Sequence, residues 1–202
     1  MGRLKDKILI IRVRNTLEKL GHTHQGIIFH VNNADFDNEG LEIDSVLITK
    51  RCTYIINFNN YQGSIYGKQD EPNWYQMTKC RNKNKNSNYG QGIHFKSQIE
   101  KNEFRNPVLH NKVRIKKLKE KFPTIDNLVF YNLVIFPKNT DIDNVAINKH
   151  GVLVIKHREL KSLIDEVEAR ATISITTDSL LELKRQIMNT NNKGGQILNT
   201  NS

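Results

Sequence analysis

Cysteine is nearly absent from this chain. Only Cys52 and Cys80 occur, with no CxxC spacing, so a disulfide framework and a cysteine-based zinc site are both excluded. A reducing, cytoplasmic setting is the expectation. No run of about 18 apolar residues is present, which excludes a membrane-spanning helix. The opening "MGRLKDKILIIRVRNTLEKL" mixes charge into its apolar positions and shows no small-residue cleavage site, unlike a secretory leader. There is no Walker loop, no G-x-S-x-G elbow and no dinucleotide fingerprint. Neither cysteine has a nearby His-Asp arrangement that would activate a thiolate.

Negative charge is the other shortage. Against 31 Lys and Arg stand 21 Asp and Glu, a formal net charge of +10 over 202 residues. Such a surplus favours a polyanionic partner, which gains affinity by releasing counterions. The surplus is clustered. One cluster is the polar run "KCRNKNKNSNYGQG", residues 79–92, with Lys79, Arg81, Lys83 and Lys85. The other is "NPVLHNKVRIKKLKEKF", a predicted helix over 106–122 that carries Lys112, Arg114, Lys116, Lys117 and Lys119. The first run lacks apolar periodicity and reads as a mobile loop. The second has Pro107 in its first turn, and Leu109, Val113 and Leu118 to face inward.

Hydrophobic periodicity outlines the rest. Residues 5–20 read as an amphipathic helix through Leu4, Ile8, Ile11, Leu17 and Leu20. "GIIFHV", "EIDSVLITK", "TYIINFN" and "GSIYG" are short, β-branched and aromatic, as strands are. "NLVFYNLVIFP" and "GVLVI" are almost continuously apolar, the pattern of strands covered on both faces. "HRELKSLIDEVEAR" and "TTDSLLELKRQIMN" read as helices, the second capped by Thr177 or Asp178. The chain thus divides into an α/β domain over 1–170, a terminal helix over 171–189 and a disordered tail over 190–202. The pair His22 and His24 in "GHTHQG" is weak evidence for a metal and reads as surface histidine.

In "TYIINFNNYQGSIYG", alternation puts Tyr54, Ile56 and Phe58 on one face and Ile55, Asn57 and Asn59 on the other. Together with "EIDSVLITK", Trp74, "NPVLHNK" and "LVIFP", this stretch resembles the nuclease-related domain, NERD, of the PD-(D/E)xK restriction-endonuclease-like superfamily. Asn60-Tyr61-Gln62-Gly63-Ser64-Ile65-Tyr66-Gly67 carries the most specific part, and the likeness covers residues 5 to 165. The resemblance implies an α/β restriction-endonuclease-like fold, a mixed central sheet flanked by helices. It also implies a site in which an Ile-Asp aspartate and a Glu-x-Lys pair hold Mg²⁺ or Mn²⁺ and activate water. Asp44 stands at the aspartate position, but Asn57 and Asn59 replace Glu and Lys. Glu42 stands for the family's Gln, and His110 for the Gln after Asn-Pro. The acidic residue expected on the first helix falls near Ile10.

A lone aspartate beside neutral amides is a weak ligand set for a hard cation. The expectation is therefore a non-catalytic domain needing no cofactor, which binds nucleic acid, DNA before RNA, through its basic residues. Two alternatives stay open. One is a metal-dependent nuclease rebuilt on Asp44 with Glu42 and His110. The other is a protein-interaction module on the same scaffold. The oligomeric state is not fixed by the sequence.

Overall fold

A computed structural model describes residues 2–29, 45–83 and 95–192 of the chain. Helix α1 (Gly2–Thr23) leads into a five-stranded sheet of spatial order β1-β2-β3-β7-β9. Its strands are β1 (Ile27–Phe29), β2 (Ser45–Ile48), β3 (Cys52–Phe58), β7 (Val129–Phe136) and β9 (Val152–Lys156). The first three pair antiparallel, whereas β3, β7 and β9 run parallel. A second sheet of order β6-β5-β4-β8 contains β4 (Ser64–Lys68), β5 (Asn73–Lys83), β6 (Phe95–Arg105) and β8 (Asp141–Ala146). Helices α2 (Pro107–Lys121), α3 (Leu160–Arg170) and α4 (Thr177–Asn192) complete the described elements.

The apolar runs at β3 and β7 are explained by what covers them. On one face Tyr54, Ile56, Leu133 and Ile135 pack with Val13, Leu17 and Leu20 of α1 and with Leu160 and Ile164 of α3. On the other, Val46, Ile48 and Ile55 meet Leu118 and Phe122 at the end of α2, and Leu180, Leu183 and Ile187 of α4. With helices on both sides, neither face of the strand needs polar residues. This is the restriction-endonuclease-like arrangement that the resemblance implied, a mixed sheet flanked by helices. The terminal helix belongs to this same core. No helix among the described residues is long and apolar enough to cross a membrane.

The second sheet is fastened to the first by a third apolar cluster, in which Ile65, Trp74 and Val108 meet Val134 and Phe136. The glycines of the Gly63–Gly67 motif have steric reasons. Gly63 holds φ at +85°, and a Cβ there would stand 2.2 Å from the Met77 carbonyl oxygen. At Gly67 a Cβ would fall 2.3 Å from the Trp74 indole, so the ring lies directly on the bare backbone. The indole Nε1 then donates to Lys68 O at 2.9 Å.

Several expectations are corrected. Lys79–Lys83 are not loop but the far half of β5, paired from Lys79↔Ile99 to Lys83↔Phe95; residues 84–94 lie outside the described residues. Strands β6 and β8 carry no apolar alternation; they are joined to β5 and β4 by ladder bonds and to the third apolar cluster by Phe104, Ile142 and Val145. Leu17 and Leu20 of α1 are buried as expected, but Ile11 is 55% exposed and Val13 takes the inward place. Helix α2 is rotated from the expected phase, with Val113 45% exposed while Arg114 is buried at 3%. Helix α4 is capped by Thr176, whose Oγ1 accepts from Ser179 N at 3.1 Å, and it runs on through residues 190–192. The rest of the tail, 193–202, lies outside the described residues.

A buried polar knot closes the opposite end of β3. Glu168 of α3 accepts at Oε1 from Thr49 Oγ1 and from the Tyr54 hydroxyl, each at 2.8 Å. Burial, then the neighbouring Cys52 and Glu168, raises the Tyr54 pKa far above its ordinary value, so the phenol stays a donor.

Two stability outcomes follow from this packing. Gly67→Ala drives a methyl into the indole and is expected to cost about 1–3 kcal/mol. Trp74 is the single tryptophan, so its fluorescence through a urea titration reads the midpoint shift directly. Tyr54→Phe leaves the buried carboxylate with one donor fewer and is expected to cost about 1–3 kcal/mol in the same titration; an unchanged midpoint would mean water replaces the phenol.

Candidate functional site

At the C-terminal end of β3 the chain sets Asn57 and Asn59 two residues apart on one face. Asn57 is 7% exposed and Asn59 half-buried. Asn59 Nδ2 donates to Asn57 Oδ1 at 2.6 Å, so the two amides are tied to each other. Asn59 N donates to Ile135 O at 2.9 Å, which extends the parallel ladder one residue past the strand and fixes the second amide in place. The alternation read from the sequence holds: Tyr54, Ile56 and Phe58 face the α1 side, and Ile55 faces the α2 side.

The two asparagines of "NPVLHN" hold α2 against this strand. Asn106 caps the helix, its side chain accepting from Val108 N at 2.9 Å. Its Nδ2 donates to the carbonyls of Lys68, Gln69 and Glu71 at 3.2, 2.9 and 2.6 Å, gathering in the β4–β5 turn. Asn106 is thus the N-cap of α2, and His110 is half-buried in the helix's first turn. Asn111 is fully buried and donates to Asn132 Oδ1 at 2.8 Å and to Ile55 O at 3.2 Å. Asn132 in turn donates to Val108 O at 2.8 Å. Sequence reasoning missed Asn132, although a lone amide within "NLVFYNLVIFP" was the signal, because a polar side chain in a twice-covered strand requires a partner.

Asp44 and Glu42 lie outside the described residues. Among the described residues no three His, Cys, Asp or Glu side chains gather as a metal site. The described donors at this end of β3 are neutral amides, one already engaged, which suits a hard cation poorly. Cys52 is buried, and burial followed by the Glu168 carboxylate pushes its thiol up to about 11, the opposite of an activated nucleophile. His24 pairs with Asp165 at 2.9 Å, with Lys161 on the other carboxylate oxygen.

Of the basic residues, Lys112 and Lys116 stand one turn apart on the solvent side of α2. Lys116 lies 3.9 Å from Glu120, and Lys119 is paired to Asp126 at 2.7 Å. Lys117 is half-buried. Arg114, expected on the charged face, is instead inside, with Nη1 3.5 Å from Asn111 Oδ1. Lys79 is exposed on β5. It stands six residues along the ribbon from the Asn73↔Arg105 pair that adjoins α2, about 20 Å away. Arg81 and Lys83 follow on the same strand, with side chains outside the described residues, as is Lys85 entirely. Trp74 is fully buried and packs rather than presenting a stacking surface.

The family model for NERD, the nuclease-related domain, matches residues 11–137, more than half of the 202-residue chain. No curated protein and no solved structure matches. With that match, and with β3, Gly63–Gly67, Trp74 and Asn106–Asn111 seated in a single nuclease-like scaffold, the chain belongs to the nuclease-related domain family.

Proposed function

We propose that this NERD-family chain does not cleave by a metal-dependent route and that it binds nucleic acid, DNA before RNA, through its basic surface. The observation that carries the reading is the 2.6 Å hydrogen bond between Asn59 and Asn57 at the two positions where the family keeps Glu and Lys. A glutamate there would hold a cation, and a lysine would stand beside the phosphate or the attacking water. Two amides bonded to each other offer neither charge. They also remove a carboxylate that would repel a phosphate in the absence of metal. Lys112, Lys116, Lys117 and Lys119 on α2, with Lys79, Arg81, Lys83 and Lys85 on and beyond the ribbon, supply the cations. Arg114 is left out because it is buried.

Fluorescence anisotropy on labelled duplex and single-stranded oligonucleotides tests the binding half. EDTA is expected to leave the affinity unchanged. Raising salt from about 50 to 200 mM is expected to cut it about 100-fold if some four phosphates are met. Lys112→Ala with Lys116→Ala should lower the duplex salt slope by about 2. No affinity at physiological salt would sink the reading and favour a protein-interaction module.

Calorimetric titration of Mn²⁺ into the wild type and Asp44→Ala tests the other half. Neither is expected to give heat at micromolar metal. Heat that disappears with Asp44→Ala would instead support a rebuilt metal centre on Asp44 with Glu42 or His110, and cleavage with it.

A further inference from the structure

A cleft of about 520 Å³ opens between α1 and the start of α3. Arg12, Lys19, Arg158 and Lys161 line it together with His157 and Asn15, and no acidic side chain does. Two of the four cations already have partners: Arg158 lies 3.3 Å from Glu159, and Lys161 bonds Asp165. Arg12 and Lys19, exposed and two turns apart on α1, have no carboxylate partner among the described residues. The His157 Nδ1 is buried and has no hydrogen-bond partner among the described residues. Cations facing one another over a cleft, with a ring nitrogen unpartnered beside them, are arranged for an anion with several acceptor oxygens.

The sheet register says where this cleft stands. Phe58 pairs with Ile135, and Phe136 pairs with Lys156, so β3, β7 and β9 end together. His157 follows directly on Lys156, two strand spacings or about 10 Å across the sheet from Asn59. Helix α1 ends at Thr23 near Gly26 and Ile48, at the start of β3. Arg12, 11 residues back, therefore lies about 16 Å toward the Asn57–Asn59 end.

We propose that this cleft is a phosphate site, in which Arg12, Lys19, Arg158 and His157 hold a phosphoryl group of a nucleic-acid strand that crosses the neighbouring ends of β3, β7 and β9. The site thereby adds a second cationic contact on the α1 side of the sheet, away from the lysines of α2. This inference rests on the nucleic-acid reading for its ligand, but the phosphate chemistry stands on the cleft alone. The field in the cleft agrees with it. Burial, then the positive charges of Arg12, Lys138 and Arg158, lowers the His157 pKa, with Glu159 alone opposing. A bound phosphoryl group reverses the sign of that field and raises it.

The test follows the His157 ring nitrogens of the full chain by NMR, with inorganic pyrophosphate as the small probe and a single-stranded oligonucleotide as the strand. Pyrophosphate is expected to shift the His157 Nδ1 signal and raise the residue's pKa. Arg12→Ala with Lys19→Ala, both solvent-facing, should weaken pyrophosphate and oligonucleotide about tenfold each, as two exposed ion pairs are lost. The oligonucleotide salt slope should fall by about 1.4. Lys184→Ala with Arg185→Ala on α4 removes equal charge elsewhere and should change little. A His157 that ignores pyrophosphate, or responds equally in the Arg12/Lys19 variant, overturns the site. Oligonucleotide binding indifferent to that variant overturns the cleft and leaves the nucleic-acid reading standing. A pyrophosphate response without any oligonucleotide binding overturns the strand as ligand, and the nucleic-acid reading falls with it.

Discussion

The parallel pairing of β3 with β7 is the constraint from which the rest of the fold follows. Parallel neighbours cannot be joined by a hairpin, so the chain must return across the sheet before β7 can be laid beside β3. That return is residues 59–128, and it carries almost everything distinctive here: strands β4, β5 and β6 of the second sheet, then α2. The crossover is useful only if α2 seats in one position. Asn106 fixes its start by capping the helix and collecting three carbonyls of the β4–β5 turn. Asn111 fixes its middle by reaching Ile55 O on β3 and Asn132 on β7. The hydrogen bonds across this interface are made by short amides, which can donate and accept at once and need no counter-charge in a dry place.

The same chemistry recurs at the strand end where the family keeps its charged pair. A buried carboxylate near Asn57 would need a cation or a metal to offset its desolvation, and removing one partner of such a pair is strongly destabilising. On the proposed reading, amides at both positions avoid that penalty, with Asn59 donating to Asn57 within the strand. Asn57 and Asn59, on that reading, keep the backbone spacing of the family's Glu-x-Lys pair with neutral side chains in place of charged ones. Phosphate binding, on the same reading, does not depend on a metal held at Asn57 and Asn59, since neither amide carries a charge that would repel the ligand.

Much of this was legible in the sequence. The period-two pattern of β3 and the unbroken apolar run of β7 follow from burial, which acts on each residue in turn. Gly63, Gly67 and Trp74 were legible as a motif, and their meaning became a contact only once the indole was seen lying on Gly67. What failed has separate physical causes. Strands β6 and β8 put only a few apolar side chains, Phe104, Ile142 and Val145, on the core, and with the outer half of β5 they otherwise rely on backbone ladders, which leaves no pattern. In α2 the phase was misread because Arg114 looked like surface charge, whereas its position on the helix faces the sheet beside Asn111 and Leu118. A long side chain can bury its stem where composition alone would place it in water. The cleft of Arg12, Lys19, His157 and Arg158 was invisible for another reason. Its halves are some 140 residues apart in the chain, and only the packing of α1 against α3 brings them together.

That separation bears on how a strand would be held. Two cationic patches, one on α2 and one in the α1–α3 cleft, lie on opposite faces of the central sheet, and the neutral amide pair sits on the rim between them. A phosphate chain spanning both must cross the ends of β3, β7 and β9, where the amides at the end of β3 offer hydrogen bonds and Lys156 of β9 and Lys138 just past β7 add charge. Affinity then scales with how many phosphates these cations can reach, while the amide pair contributes register more than energy. Such a division leaves most of the energy in phosphate contacts, which do not depend on sequence. It also makes the two flanks energetically separable. They stand far enough apart that losses at one should add to losses at the other, with little coupling between them.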